Sequence, residues 1–233
     1  MQVSASESSL ASRVSLRGWS AFVELYGTVQ IEFGHFGLQW SDEERRTRMG
    51  ENAAVSPMLP LAQQVLNDLW EEHVRDEFGI RDTEATLRTM VPDAYVNHVP
   101  VMTGGVGHEA LRRFYSQLFI PQMPPDTEIV PVSRTIGSDR LVDEMIFRFT
   151  HTTQMQWMLP GLAPTGRPVE IPLVVVVQFR DGKLAHEHIY WDQASVLVQL
   201  GLLDTVGLPV SGVQTARKVL HPSLPSNELI PRA

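Results

Sequence analysis

Five side chains have the types needed to move a proton: His98, His151, His188, Tyr190 and Asp192. Enclosed by apolar groups, an Asp or a His has its pKa pushed by desolvation and by its neighbours. A carboxylate so placed can take a proton from carbon beside a carbonyl, and a nearby His can protonate the developing oxyanion or accept the proton itself. Tyr190 can hydrogen-bond an enolate oxygen, while Trp157, in the apolar stretch 155–159, and Phe149 can wall a flat, ring-bearing ligand.

Side chains alternate faces along a strand. Over residues 141–151 the set Leu141, Asp143, Met145, Phe147, Phe149 and His151 is more apolar than Val142, Glu144, Ile146, Arg148 and Thr150. The first set is expected to look inward, with His151 and Asp143 on the pocket side; for Asp143 and Glu144 a salt bridge is the simpler role. Over residues 184–192 the alternation is ambiguous. His186, His188, Tyr190 and Asp192 share one face and Glu187, Ile189 and Trp191 the other, and both sets mix polar with aromatic groups. Asp192 also stands where a strand gives way to a helix, a position equally suited to an N-cap.

The run His186-Glu187-His188 offers two imidazoles on one strand face, and His98 could be a third ligand. A metal needs three or four ligands with outer support, which nothing in this spacing supplies, so neither metal nor cofactor is expected. The glycines at 104, 105 and 107 follow no βαβ strand and are not a dinucleotide fingerprint. A Gly-x-Ser-x-Gly elbow is absent, which argues against a serine hydrolase.

The elements that must position these groups fall into two kinds. Helical periodicity runs from Leu61 through Val65, Leu66, Leu69, Trp70 and Val74 to Phe78, with Gly79 as a stop. Asp82 can cap a second helix over 83–91, ended by Pro92. A short extended piece at 95–99 and a glycine turn precede a third helix carrying Ala110, Leu111, Phe114, Tyr115 and Leu118. After Pro124-Pro125 the period becomes that of strands, over 127–136, 141–153, 169–180 and 184–191. Residues 137–139 and the pair Asp181-Gly182 form hairpin turns, and the Asp-Gly pair is the stronger signal. An amphipathic helix over 193–203 follows. Helices followed by an antiparallel meander give the α+β class.

Composition bounds the rest. The chain has 233 residues, 43% of them hydrophobic, with a formal net charge of -8 and no cysteine. Disulfides and thiolate chemistry are excluded, and no basic stripe suggests nucleic acid. No apolar run is long enough for a bilayer, and the N-terminus does not read as a signal peptide, so a soluble cytoplasmic protein is expected. The expected division is an N-terminal extension over 1–57, a domain over 58–205 and an irregular tail over 206–233. Trp19, Phe22, Leu25, Tyr26, Phe33, Phe36 and Trp40 are too many large apolar groups to leave in water, so residues 16–40 should pack on the core or a partner.

Several segments, taken in order, carry a resemblance. Tyr95-Val96-Asn97-His98-Val99-Pro100 before a glycine turn and a helix is similar to the first pocket segment of SnoaL-like proteins. Phe149-Thr150-His151, then Leu159-Pro160-Gly161 and Pro164-Thr165-Gly166-Arg167, resembles that family's Gly-Thr-His … Leu-Pro … Pro-Thr-Gly-Lys pattern. Residues 179–183 with Glu187, Trp191-Asp192 and Gln199-Leu200-Gly201 resemble its last hairpin and closing helix. The likeness spans about residues 61–203. It implies the nuclear transport factor 2-like cone, a cystatin-like α+β barrel in which N-terminal helices wrap a curved antiparallel sheet.

The resemblance also implies a cofactor-independent cyclase, dehydratase or isomerase acting on a small, mostly apolar and cyclic carbonyl compound. A non-catalytic binder or assembly module of the same fold is the alternative. It places Asp192 at the pocket, so Asp192 and His151 are expected as the acid–base pair, with His98, His188, Tyr190, Trp157 and Phe149 contacting the ligand. Related folds pair through the outer sheet face, and Val142 and Ile146 on that face lead us to expect a homodimer.

Overall fold

A computed structural model describes residues 59–231. The expected extension over 1–57, with its aromatic cluster, lies outside the described residues.

The first helix, α1 (Leu61–Val74), turns Trp70, His73 and Val74 to the core, with Leu66 and Leu69 packed beside them. Leu61 and Val65, counted as part of that stripe from periodicity, are exposed instead. At its end the helix does not stop at Gly79 but widens into a π-turn over Arg75–Ile80 and is closed by Arg81 in the left-handed region. The wide turn buries both Asp76 and Glu77. Asp82 caps α2 (Thr83–Arg88) as expected, its side chain accepting from the amides of Glu84 at 2.9 Å and Ala85 at 3.1 Å. The helix is shorter than read, because Met90 already begins β1 (Met90–His98).

β1 pairs antiparallel with the short β2 (Thr103–Val106). The two backbones approach so closely at Gly104, φ +138°, that a Cβ there would lie 2.0 Å from the Val96 carbonyl oxygen. Only glycine fits such a contact. α3 (Gly107–Arg113) then runs into a second π-turn over Phe114–Phe119. That wider turn shifts the helical register, so Phe119 is buried and Leu118, expected inside, is exposed.

The meander follows: β3 (Glu128–Ile136), β4 (Arg140–Thr150), β5 (Pro168–Arg180) and β6 (Lys183–Trp191). Asp181 and Gly182 both have positive φ, 54° and 69°, as a type I′ hairpin requires. The six strands form one curved, unclosed sheet in the order β2-β1-β6-β5-β4-β3, and β1 and β6 form its parallel pair. On β4, Leu141, Asp143, Met145, Phe147 and Phe149 face inward, as alternation predicted. Thus the α+β cone is confirmed.

Between β4 and β5 the chain folds over the mouth of the cone. Met155, Trp157, Met158 and Leu159 are buried there, held by Thr103 Oγ1 donating to the Trp157 carbonyl at 2.6 Å and Gln193 Nε2 to the Met158 carbonyl at 3.1 Å. α4 (Gln193–Gln199) closes the domain. The tail is not wholly irregular: it contains α5 (Gln214–Leu220), whose Ala216 is buried, and Ser195 Oγ donates to the Gly212 carbonyl at 2.8 Å. Among the described residues no helix is long and apolar enough to cross a membrane.

Candidate functional site

The concave face of the sheet and the two π-turns enclose a cavity of about 50 Å³. Its wall is mostly aromatic and aliphatic, with Trp70, Phe114, Phe119, Phe147 and Trp157 among the lining rings. Polar groups enter at few points: Glu77, Tyr115 and Glu187 at one end, and His98.

The polar end is built from three elements. His73 lies in the last turn of α1 and faces inward, Glu77 follows it by four residues across the π-turn, and Glu187 projects from β6. His73 Nε2 lies 3.1 Å from Glu77 Oε1 and 3.1 Å from Glu187 Oε1, with all three residues buried. Neither oxygen lies along the ring N–H direction well enough for a proper hydrogen bond, and Nε2 and Glu187 Oε1 have no other partner. On the far side of the ring, His73 Nδ1 is 2.6 Å from Thr89 Oγ1, which donates its only proton to the Thr86 carbonyl at 2.6 Å. Thr89 must therefore accept from His73, so Nδ1 carries a proton. Trp70 stacks on the imidazole, centroids 5.6 Å apart, and is itself fixed by donating to Asp143 Oδ2 at 2.9 Å.

Electrostatics follow from this packing. Burial alone would depress His73, but the facing carboxylates of Glu77 and Glu187 overcome it and raise its pKa to about 10. Burial raises Glu77 against the opposing pull of His73. The Tyr115 hydroxyl lies against both carboxylates without an aligned hydrogen bond, and burial and their charges suppress its ionisation. His98 is different. It sits among the rings of Phe114, Phe119, Trp157 and Trp191 at centroid distances of 5.3–5.7 Å, and burial drives its pKa down to about 4. It is therefore a neutral imidazole near neutrality, with Nδ1 unpartnered.

Of the residues singled out from sequence, His98 and Trp157 line the cavity. The others lie elsewhere. Asp192 is exposed and caps α4, accepting from the Ser195 amide at 3.2 Å. His151 lies one residue past β4 and anchors the covering loop: its Nδ1 accepts from the Thr165 amide at 3.3 Å, and its amide donates to the Arg167 carbonyl at 2.9 Å. Asp192 and His151 are not brought together at the cavity, because both fall where strands end and backbone groups need partners. His188 and Tyr190 point to the outer face of β6, where His188 stacks on His186 at 4.5 Å and Tyr190 is 43% exposed. Phe149 is buried in the core beside Phe147 but does not line the cavity.

From residue type alone His73 reads as a solvated or loop residue and Glu77, Tyr115 and Glu187 have no assigned role; instead His73 is fully buried at the inward end of α1. A signal for two of them was present: Trp70, His73, Val74 and Glu77 recur at i, i+3, i+4 and i+7, the spacing of one helix face.

A SnoaL-like domain family matches residues 70–187, just over half of the chain. The chain belongs to this family. Its matched segment runs from the Trp70 that stacks on His73 to the Glu187 that faces it. No curated protein matches the chain. Among solved structures, the SnoaL-like chain is similar to TsrD from Streptomyces laurentii, with 19% identity, 62% of this chain and 100% of that one covered, and a TM-score of 0.48. A candidate SnoaL-like polyketide cyclase from Jannaschia sp. CCS1 shows 20% identity over 61% of this chain and 93% of its own, TM-score 0.47. An NTF2-like protein of unknown function from Burkholderia pseudomallei K96243 shows 18% identity over 61% and 98%, TM-score 0.44.

Proposed function

We propose that this SnoaL-like protein is an enzyme of the cyclase, dehydratase or isomerase type, acting by proton transfer on a small, mostly apolar carbonyl compound. The observation that supports it is the asymmetry of the cavity, an apolar aromatic wall with two carboxylates and a phenol at one buried end, the carboxylates backed by the His73 imidazole. Such a wall holds an apolar body and excludes water, while the carboxylates reach a proton beside the carbonyl. Glu187 is assigned as the proton acceptor. Tyr115 and His98, whose Nδ1 has no partner, are assigned as hydrogen-bonding groups for the carbonyl oxygen. In this reading Asp192 and His151 support the elements around the site and leave the chemistry to the buried end.

The test is exchange of solvent deuterium into carbon-bound positions of small cyclic ketones and enones, followed by NMR. Exchange with the intact chain, reduced by about 10²–10⁴-fold in Glu187→Gln, is the expected result. Tight binding without any exchange or turnover points to the non-catalytic binder instead.

A further inference from the structure

We propose that the buried end of the cavity is a divalent-cation site, with His73 Nε2, Glu77 Oε1 and Glu187 Oε1 as its protein ligands. The proposal goes beyond the proton-transfer reading and concerns the same end of the cavity. All three donor atoms lie within 4.8 Å of one another on buried residues.

The hydrogen-bond pattern sets the argument. Thr89 commits its hydroxyl proton to the Thr86 carbonyl, so Nδ1 of His73 is the N–H and Nε2 is the atom turned toward the two carboxylates. A bare nitrogen lone pair aimed between two carboxylate oxygens is repulsive, so a positive charge belongs in front of Nε2, either a proton or a metal ion. A lone proton suits the geometry poorly. Both oxygens stand 3.1 Å from Nε2, yet both lie too far off its axis for a good hydrogen bond. Ligands at right angles around an ion with bonds of about 2.2 Å are themselves about 3.1 Å apart, and each then lies well off the axis of the other's lone pair. The off-axis placement that spoils the hydrogen bonds is the one that coordination requires.

Three further features agree. The imidazole donates its other nitrogen to a fixed acceptor and is clamped by Trp70, the outer support typical of a ligating His. Two carboxylates and a neutral imidazole balance a doubly charged ion in a place otherwise poor in countercharge. Glu77 and Glu187 both line the cavity, so the remaining coordination positions open onto it, where water or a carbonyl oxygen can bind. One nitrogen 3.1 Å from each of two carboxylate oxygens, a spacing that gives N–metal–O angles near 90°, favours Mn²⁺ or Fe²⁺. Tetrahedral Zn²⁺, with bonds of about 2.0–2.1 Å, would spread its ligands to about 3.4 Å. An ion there would polarise a substrate carbonyl and leave the second oxygen of each carboxylate free to take the proton.

The experiment is titration of the chelator-treated full chain with Mn²⁺, followed by loss of the free-ion EPR signal and by calorimetry. One Mn²⁺ per chain is expected, with affinity about 100-fold or more weaker in Glu77→Gln and in Glu187→Gln, about 10–100-fold weaker in Thr89→Val, and unchanged in His186→Gln on the outer face. Should those core variants fail to fold, the nitrogen coupling of Mn²⁺ bound to the unmodified chain decides: coupling to one imidazole supports the site and its absence overturns it. A folded chain that leaves Mn²⁺, Co²⁺ and Zn²⁺ free at millimolar concentration also overturns it, as does undiminished binding by folded Glu77→Gln and Glu187→Gln. Turnover that persists unchanged in chelator overturns the metal site and leaves the proton-transfer reading standing. Stoichiometric Mn²⁺ without any proton exchange sinks that reading and leaves the metal site standing.

Discussion

A histidine enclosed by four aromatic rings gives up its proton early, and His98 should show this directly. Its imidazole is expected to titrate near pH 4 by NMR, well below the usual 6.5, because burial penalises the charged form. The consequence for stability follows from proton counting. Between about pH 6.5 and 4 the unfolded chain binds a proton that the folded chain refuses, so this residue's contribution is full above 6.5 and lost as pH falls through that window. The loss amounts to about 3 kcal/mol for a shift of this size. The stability of the parent relative to His98→Phe, measured by urea unfolding, should fall by that order from pH 7 to pH 4. An unchanged difference would show that His98 is hydrated in solution. At Asp192 the expectation is modest. Asparagine caps a helix about as well as aspartate, so Asp192→Asn should leave stability and turnover within a few-fold, while Asp192→Ala should cost about 1 kcal/mol. A loss of turnover by 10² or more in Asp192→Asn would return that residue to the chemistry.

At the scale of elements, the helices are fastened to the sheet by polar groups as well as by packing. Arg134 on β3 donates to both oxygens of Asp143, at 3.1 and 2.6 Å, and pairs with Glu71 of α1, while Trp70 donates to the same Asp143. Replacing one member of such a buried set strands the others. Asp143→Asn is expected to cost about 3–5 kcal/mol in urea unfolding. It should also loosen Trp70 against His73, which fluorescence quenching of the buried tryptophans can follow. β2 depends on a different constraint. Gly104→Ala would force a Cβ to 2.0 Å from the Val96 carbonyl, in a backbone region that disfavours side chains, so β2 should detach or the fold should lose more than about 2 kcal/mol. Wild-type stability of this variant would mean that the β1–β2 contact is looser in solution.

For the whole molecule, the outer face of the sheet leaves apolar side chains uncovered. Ile146, expected to stand uncovered on that face, is fully buried, but Val142 and Tyr190 are exposed there and Val174 and Val176 half-buried, beside the stacked His186 and His188. A fully solvated face would alternate cleanly to polar residues. We expect a homodimer through this face, seen as twice the chain mass by light scattering at micromolar concentration, and a shift to monomer in Val176→Glu. A monomeric parent chain under those conditions would oppose this.

Local signals carried most of the architecture. The Asp181-Gly182 hairpin, the Asp82 cap and the inward set on β4 are each decided within a few residues, by turn geometry, by amide donors at a helix start and by period-two alternation. That is why the α+β cone was legible in the sequence. Of the residues the sequence offered as candidates, His98 and Trp157 line the cavity. Local rules gave Asp192 and His151 chemical meaning, because an acid or imidazole at a strand end satisfies backbone amides there and still looks available. Two things were settled only in three dimensions. One is the second π-turn, whose single-residue widening buries Phe119 in place of Leu118. The other is the face of β6, mixed in its own residues, which is fixed by its pairing with β1 and β5 and by the cavity. The meeting of His73 with Glu187 joins the start of the domain to its last strand. Its free energy is a matter of long-range packing and burial, which no short stretch of sequence contains.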